Sequence, residues 1–141
     1  MRKALVLAGS RGIGKGIADS LSDLNLEVIR TSSKDLDTSK LKDVEKFIST
    51  NKSTDILVLN SGGPKSQKFN DISKEDCEKY HNQLFYSFFK ILQEIKINDN
   101  GYIFLISSYN VKEPDGKLLL SNAYRVAFIS VLKCLSKEFA K

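Results

Sequence analysis

The stretch Lys3-Ala-Leu-Val-Leu-Ala-Gly-Ser-Arg-Gly-Ile-Gly14 decides the fold. It opens with a short apolar run ended by glycines, which is typical of a strand buried on both faces of a parallel sheet. From Gly12 to Leu24 the apolar residues recur at helical spacing, so a helix follows the glycines directly. A strand, a glycine-rich turn and a helix in this order aim backbone N–H groups at a phosphate.

Strand and helix patterns alternate through the rest of the chain, in units of about 30 residues. Only Leu36 and Asp37 remain for a third strand, so the second and third strands would be joined by a very short connection. This alternation predicts one doubly wound α/β domain over residues 1–141 with right-handed crossovers. The other predicted elements are strands over 26–31, 55–60 and 101–107, a helix beginning at 41, a long helix over 73–97 and a last helix over 118–140.

Composition excludes several classes of protein. The 141 residues carry 22 basic and 17 acidic side chains, and the lysines are scattered, which favours solvated faces over a nucleic-acid surface. The two cysteines, Cys77 and Cys134, fit no disulfide scaffold, metal or redox motif, so we expect no metal and buried thiols. No apolar run approaches the roughly 18 residues of a membrane span, and no signal peptide precedes the glycine turn, so we expect a cytoplasmic protein.

The end of the second predicted strand bears on which dinucleotide the glycine turn would bind. A carboxylate there would bond a ribose 2′-OH and repel a 2′-phosphate, but residues 30–34 contain hydroxyls and cations and no acid before Asp35. Together with Arg11 in the turn, this composition favours NADP over NAD. Ordinary surface charge is the alternative explanation of Arg11 and Lys34.

Four segments together resemble the short-chain dehydrogenase/reductase family, and within it the 3-oxoacyl-(acyl carrier protein) reductase-like branch. Residues 8–14 look like its T-G-x-x-x-G-I-G turn, and residues 55–63 resemble its fourth strand with the N-N-A-G motif. Residues 106–108 match the end of the fifth strand, where the family places a catalytic serine, and residues 121–125 stand where Y-x-x-x-K is expected. The resemblance implies a Rossmann-type parallel sheet of strand order 3-2-1-4-5.

The resemblance also implies a function and its residues. The family reduces carbonyl compounds with a nicotinamide cofactor, so we expect an NADP-dependent oxidoreductase with a 3-oxoacyl-like small-molecule substrate. The long helix and the last helix often pair across a dimer axis in this family, which implies a homodimer or homotetramer. Asp37 resembles the aspartate that contacts adenine. The expected cofactor-binding residues are Gly9, Ser10, Arg11, Gly12, Ile13, Gly14, Ser32, Ser33, Asp37, Asn60, Ser61, Gly62 and Gly63.

The expected catalytic group is Ser108, Ser121 and Arg125, and it departs from the family pattern. Ser121 stands where the proton-donating tyrosine is expected, and a serine hydroxyl is a far weaker acid than a phenol. Arg125 replaces the lysine, keeps a positive charge and can bond ribose hydroxyls. Tyr109 and Tyr124 lie nearby, although packing or surface roles explain them more readily. The second hypothesis is therefore a catalytically weak or inactive dinucleotide-binding protein, a sensor or an oligomerisation module.

Two smaller departures concern the turn and the long helix. Aligning the last two glycines of the turn puts Ala8 where the family has its first glycine, with Gly9 one place later. Gln83 falls at the position of the family's helix asparagine. A complete fold of this family has six or seven strands, so we expect strands six and seven to be absent and the chain to be part of something longer. The region that sets substrate specificity in the family would lie beyond that point.

Overall fold

The computed structural model describes residues 1–140, which build a four-stranded parallel sheet in the order β2-β1-β3-β4. The strands are β1 (Lys3–Val6), β2 (Glu27–Arg30), β3 (Ser53–Leu59) and β4 (Lys96–Leu105). The helices are α1 (Gly12–Asp23), α2 (Leu41–Thr50), α3 (Lys74–His81), α4 (Ser87–Glu94) and α5 (Leu119–Phe139), with a π-helical segment (Asn82–Tyr86) joining α3 to α4.

Strand β1 lies in the middle of the sheet because its side chains are apolar on both faces. Ala4 through Leu7 are fully buried, as the continuous apolar run predicts. Successive side chains point to opposite faces, so Leu5 and Leu7 enter one core while Ala4 and Val6 enter the other. Helices therefore cover both faces, and the predicted doubly wound α/β class is confirmed.

The two cores differ in size. The larger one, which we call the α5 core, packs helices α2, α4 and α5 on one face of the sheet through Phe47, Phe88 and Phe128. The smaller one, the α1 core, packs helix α1 on the other face through Ala18. The direction of the connections explains this division: the crossover from β1 to β2 runs one way across the sheet and those from β2 to β3 and from β3 to β4 run the other way, so right-handed connections lie on opposite faces.

The predicted third strand is wrong, and with it the count of five strands. Residues 31–40 form turns, and their backbone is bonded by nearby side chains instead of by a sheet ladder. The Asp35 carboxylate accepts from the Ser32 amide, and the Asp37 carboxylate accepts from the Ser39 amide. Leu36 is buried in the α5 core. The observed order is the predicted order without its third strand.

Two element boundaries also differ from the sequence prediction. The long predicted helix is present, but the π-helical turn interrupts it and it ends at Glu94. Strand β4 begins at Lys96, five residues before the predicted start, because a bulge at Asn98–Gly101 hides its alternation. Asn100 adopts a positive φ of 60° in this bulge. A Cβ on Gly101 would lie 2.6 Å from the Asp55 carbonyl oxygen, so the approach there requires glycine.

The cysteines are both free, but their burial differs from the prediction. Cys77 is half-buried and Cys134 is exposed on the outer side of α5. Among residues 1–140, no helix combines the length and the apolar character needed to cross a membrane.

Lowering the pH should weaken the start of α3. The Ser73 hydroxyl accepts from the Asp76 amide and the Asp76 carboxylate accepts from the Ser73 amide, which forms a capping box. Hydrogen bonds from Gln67 and Ser73 lower the pKa of Asp76 from 3.8 to about 2. Because the folded pKa is depressed, this contribution is complete above pH 3.8 and is lost as the pH falls toward 2.

Denaturant unfolding at about pH 5 and about pH 2.5 checks this expectation. Asp76→Asn should shrink the difference between the two midpoints. Glu75→Gln, a change in the same helical turn, should keep the wild-type difference. Equal pH dependence in wild type and Asp76→Asn would contradict the role of the capping box.

Candidate functional site

A cavity of about 550 Å³ opens at the carboxyl ends of β1 and β3. The crossovers leave these two strands toward opposite faces, and in doubly wound sheets ligands bind in the crevice at such a point. The walls come from the glycine turn, the end of β2, the loop after β3 and one face of the long helix. The lining residues are Leu7, Ala8, Ser10, Arg11, Gly12, Ile13, Gly14, Thr31, Ser33, Leu36, Asp37, Thr38, Asn60, Ser61, Gly62, Lys79 and Gln83.

The glycine turn presents an uncapped helix end to this cavity. Helix α1 begins at Gly12, its N-cap Arg11 makes no side-chain capping bond, and its first turn contains no acidic residue. First-turn N–H groups have no intrahelical acceptor, so those of Gly12, Ile13 and Gly14 stay available beside the cavity. This arrangement suits an anionic group such as a pyrophosphate.

Close packing between the glycine turn and the loop after β3 fixes the shape of the candidate phosphate-binding cradle, which we define as the backbone of Gly12, Ile13 and Gly14. A Cβ on Gly14 would lie 2.2 Å from the Ala8 carbonyl oxygen and 2.7 Å from Asn60 Nδ2. Asn60 Nδ2 donates to the same carbonyl at 3.4 Å, which ties the two loops together. Gly9 packs against the Cβ of Arg30 and does not line the cavity.

Ala8 occupies a backbone conformation that favours glycine, with a φ of 47°. The sequence comparison already placed Ala8 where the family has its first glycine. Ala8→Gly is expected to raise the free energy of unfolding by about 0.5–1 kcal/mol, because relief of left-handed strain exceeds the added entropy of glycine. Denaturant unfolding measures the change.

Ala123→Gly is the matched control for Ala8→Gly, because Ala123 is exposed within helix α5. There the same substitution should lower the free energy of unfolding by about 1 kcal/mol. If Ala8→Gly destabilises the protein as much as Ala123→Gly does, the strain at Ala8 is not significant.

At the end of β2, side chains that the sequence assigned to the cofactor form hydrogen bonds to other side chains of the protein instead. The Ser32 hydroxyl donates to the Asp35 carboxylate at 2.6 Å, and hydrogen bonds from Ser32 lower the pKa of Asp35. Arg30 is held by Asp19 at 2.6 Å on the surface of α1. Ser33 lines the cavity and Ser32 does not, and Arg11 is the cation of the glycine turn that lines it.

The loop carrying Asp37 is fixed to the long helix. Asp37 lines the cavity, and its carboxylate accepts from the Ser39 hydroxyl at 2.7 Å. Partial burial raises the pKa of Asp37. The hydrogen bonds from Ser39 and the nearby Lys40 lower it by more than burial raises it, so the net shift is downward. Thr38 donates to the Gln83 carbonyl oxygen at 3.0 Å. The carboxylate is therefore ionised and held in place.

The helix wall of the cavity contains Gln83 and Lys79, which lie one turn apart. Gln83 Nε2 donates to the Gly62 carbonyl oxygen at 2.6 Å, so it supports the loop after β3. Sequence reasoning placed Gln83 at the family's asparagine position but missed Lys79. The signal that could have found Lys79 is its spacing of four residues before Gln83 on the same helix.

Two of the three predicted catalytic residues lie together at the end of β4. Arg125 Nε donates to the buried Ser121 hydroxyl at 3.0 Å, and Arg125 Nη1 donates to the Ile106 carbonyl oxygen at 3.2 Å. Arg125 Nη2 lies near Gly63, 3.6 Å from where a Cβ would stand. Ser108 instead caps a short 3₁₀ turn, accepting from the Asn110 amide at 3.2 Å. None of the three, nor Gly63, lines the main cavity, although Gly62 does.

The tyrosines near this group make other contacts. Tyr109 is 70% exposed and donates to Glu113 at 2.9 Å. Tyr124 donates to the Cys77 carbonyl oxygen at 3.0 Å, and burial raises the pKa of Tyr124. Neither phenol lines the cavity, and each donates to a partner outside it.

Solved structures with the same fold are short-chain dehydrogenases. A small-chain dehydrogenase in complex with NADPH superposes with a TM-score of 0.82 at 24% identity over 99% of this chain and 65% of its own. A candidate betaketoacyl-ACP reductase gives 0.88 at 16% identity over 99% and 67%. A short-chain dehydrogenase from Burkholderia cenocepacia J2315 in complex with NADP gives 0.82 at 21% identity over 99% and 69%.

The chain thus has the Rossmann-type fold of the short-chain dehydrogenases, and the resemblance drawn from its motifs is confirmed at the level of the fold. It spans about two thirds of the length of these three structures. By sequence, no family model and no curated protein matches it.

Proposed function

We propose that the protein binds a nicotinamide dinucleotide and acts as an oxidoreductase of the short-chain dehydrogenase type. The observation that carries the proposal is the uncapped N-terminus of α1, with its glycines, facing a 550 Å³ cavity at the switch point of the sheet. Two of the structures with the same fold are complexes with NADPH and NADP, which supports this choice of ligand.

The residues that line the cavity fit the parts of such a ligand. Gly12, Ile13 and Gly14 would hold the pyrophosphate, and Ser33 and Asp37 would hold the adenosine part. Asn60, Ser61 and Gly62 continue the cavity toward the Arg125 group. The bound dinucleotide supplies hydride transfer, while the protein supplies position and charge.

NADP is the proposed form of the cofactor, because Arg11 lines the cavity and forms no ion pair with a carboxylate within residues 1–140. Asp35, the nearest acid in sequence after β2, is bonded to Ser32. Titration of the protein with NADPH and with NADH tests the preference. Arg11→Gln should weaken NADPH binding about ten-fold or more and leave NADH binding nearly unchanged, because one charge-assisted hydrogen bond is lost. Arg2→Gln, at the opposite end of the sheet, should change neither affinity.

The substrate is proposed as a carbonyl compound, and the resemblance implies a 3-oxoacyl-like one. The loss of NADPH absorbance with a panel of β-keto esters, oxo acids and aldehydes tests this assignment. Turnover that is lost in Ser108→Ala and kept in Tyr109→Phe would support the proposal and exclude Tyr109 as the acid. If neither NADPH nor NADH binds, the proposed function is wrong.

A dinucleotide-binding protein without turnover is the second candidate. The replacement of the family's tyrosine and lysine by Ser121 and Arg125 favours it, and Tyr109 and Tyr124 are bonded to Glu113 and to the Cys77 carbonyl oxygen. Tight NADPH binding with no reduction of any carbonyl compound in the panel would support this candidate against the reductase.

A homodimer or homotetramer is also proposed, through the outer surfaces of α4 and α5. Tyr86, which directly precedes α4, and Phe139 in α5 are exposed apolar side chains. Sedimentation at several protein concentrations tests this proposal. A monomer throughout would contradict it.

A further inference from the structure

The guanidinium of Arg125 is half-buried, and its partners are neutral. Its Nε and Nη1 donate to the Ser121 hydroxyl and the Ile106 carbonyl oxygen. Within residues 1–140, Nη2 has no hydrogen-bond acceptor and no carboxylate lies in ion-pair contact with the group. Gly63 lies beside Nη2, which would be 3.6 Å from a Cβ at that position.

A cation in this position is incomplete without an anion. Half-buried charges are normally paired, because removing them from water without a partner costs free energy. Burial accordingly lowers the pKa of Arg125.

A second polar atom without a partner belongs to Ser107, the residue after Ile106, whose carbonyl oxygen accepts from Arg125. The Ser107 hydroxyl oxygen is buried and has no hydrogen-bond partner in the part of the chain that the structure describes. Ile106 packs toward the α1 core, and side chains alternate along an extended segment. Ser107 therefore lies on the opposite side, the side of α5 and Arg125.

The surrounding charges also favour an anion. Arg11 and Lys79 line the neighbouring cavity, and Asp37 is its only lining carboxylate among residues 1–140. Asp37 is already bonded to Ser39 and faces Lys40 at 3.5 Å. Arg125, Arg11 and Lys79 thus stand against one carboxylate, Asp37, and this excess of positive charge favours negatively charged ligands.

We propose that Arg125 binds the carboxylate of the substrate and that the substrate is a 2-oxo acid. Ser121 accepts from Arg125 at 3.0 Å, and a 2-oxo acid, whose carboxylate and carbonyl lie on adjacent carbons, is short enough to contact both residues at once. This inference rests on the proposed dinucleotide-dependent function and replaces the 3-oxoacyl substrate that the resemblance implies.

Reduction of the 2-oxo acid uses one molecule of reduced dinucleotide and one proton for each molecule of substrate. The carbonyl carbon of the 2-oxo acid accepts a hydride from the reduced dinucleotide, and its oxygen takes a proton from water. The products are a 2-hydroxy acid and the oxidised dinucleotide, and the carboxylate bonded to Arg125 is unchanged.

Calorimetric titration with oxamate and oxamide tests the proposal, because these ligands are nearly isosteric and differ by the carboxylate. Both are titrated into the full chain with and without NADP⁺. Wild type should bind oxamate at least about ten-fold more tightly than oxamide. Arg125→Gln should remove this difference, Arg125→Lys should keep part of it, and Arg2→Gln should keep all of it.

The affinity for NADPH, measured on the same variants, separates the alternatives. If Arg125 serves the substrate, Arg125→Gln should keep the wild-type NADPH affinity within about three-fold. Equal binding of oxamate and oxamide by wild type, or loss of NADPH affinity in Arg125→Gln with the oxamate preference kept, would overturn the proposal. Absence of NADPH binding in wild type would overturn the proposed function instead, and the titration without NADP⁺ would still decide the role of Arg125.

Circular dichroism shows whether the Arg125 variants fold. If Arg125→Gln does not fold, the more conservative Arg125→Lys decides the proposal: a smaller oxamate preference than in wild type is expected, and an unchanged preference would overturn the role of the guanidinium. An Arg125→Lys protein whose NADPH affinity falls in parallel with its oxamate affinity would count against a substrate role.

Discussion

Gly14→Ala is expected to lower the free energy of unfolding by about 2–3 kcal/mol and to abolish dinucleotide binding. The added methyl group would stand 2.2 Å from the Ala8 carbonyl oxygen, which is a backbone atom and cannot rotate away. Helix α1 would have to move from the sheet, which would break the Asn60 bond to Ala8 and open the cradle. Denaturant unfolding and NADPH titration measure the two effects.

Gly16→Ala is the matched control, because it changes the same residue type in the same helix. A Cβ on Gly16 meets nothing within 4 Å. This change should raise the free energy of unfolding by about 0.5–1 kcal/mol, since alanine is the better helix former. If both alanine variants had the same stability and the same NADPH affinity, the close approach at Gly14 would not matter.

Phe128→Ala is expected to lower the free energy of unfolding by about 3–5 kcal/mol. Phe128 is fully buried in the α5 core, and its ring meets those of Phe85 and Phe88 edge-on at 5.9 and 5.5 Å. The cavity left by alanine would loosen α5, the helix that carries Ser121 and Arg125. Any preference for oxamate should therefore weaken along with stability.

Val126→Ala provides the comparison on the same helix. Val126 is 49% exposed, so its loss should change the free energy of unfolding by no more than about 0.5 kcal/mol. Chemical denaturation of both variants under the same conditions gives the two values. A Phe128→Ala protein as stable as Val126→Ala would show that α5 does not depend on this aromatic contact.

The sequence predicted the fold where pattern and packing agree. The apolar run that begins at Lys3 predicts a strand buried on both faces of the sheet, and the glycines after it predict the turn into α1. The predicted third strand is wrong because Leu36 and Asp37 were assigned from the alternation of strands and helices, whereas Asp35 and Asp37 bond the local backbone there instead of a sheet ladder. The early start of β4 was missed because its bulge breaks the alternation.

The parts of the candidate site that are formed by backbone could be predicted from the sequence. The parts that depend on which hydrogen bonds the side chains form were harder to predict. The glycine turn lines the cavity as expected. The bond of Ser32 to Asp35, the capping role of Ser108 and the contact of Tyr124 with Cys77 all depend on side-chain geometry that no spacing rule reports. Arg125 bonds Ser121 because residues four apart on a helix share a face.

The position of β4 has a practical consequence for these measurements. It is an edge strand, and Tyr102 and Phe104 stack on each other at 6.1 Å on its exposed side. An open edge beside exposed aromatic rings is a template on which further chains add as strands, and this reaction accelerates with concentration. Titrations should therefore be repeated over a dilution series, so that ligand binding is measured apart from self-association.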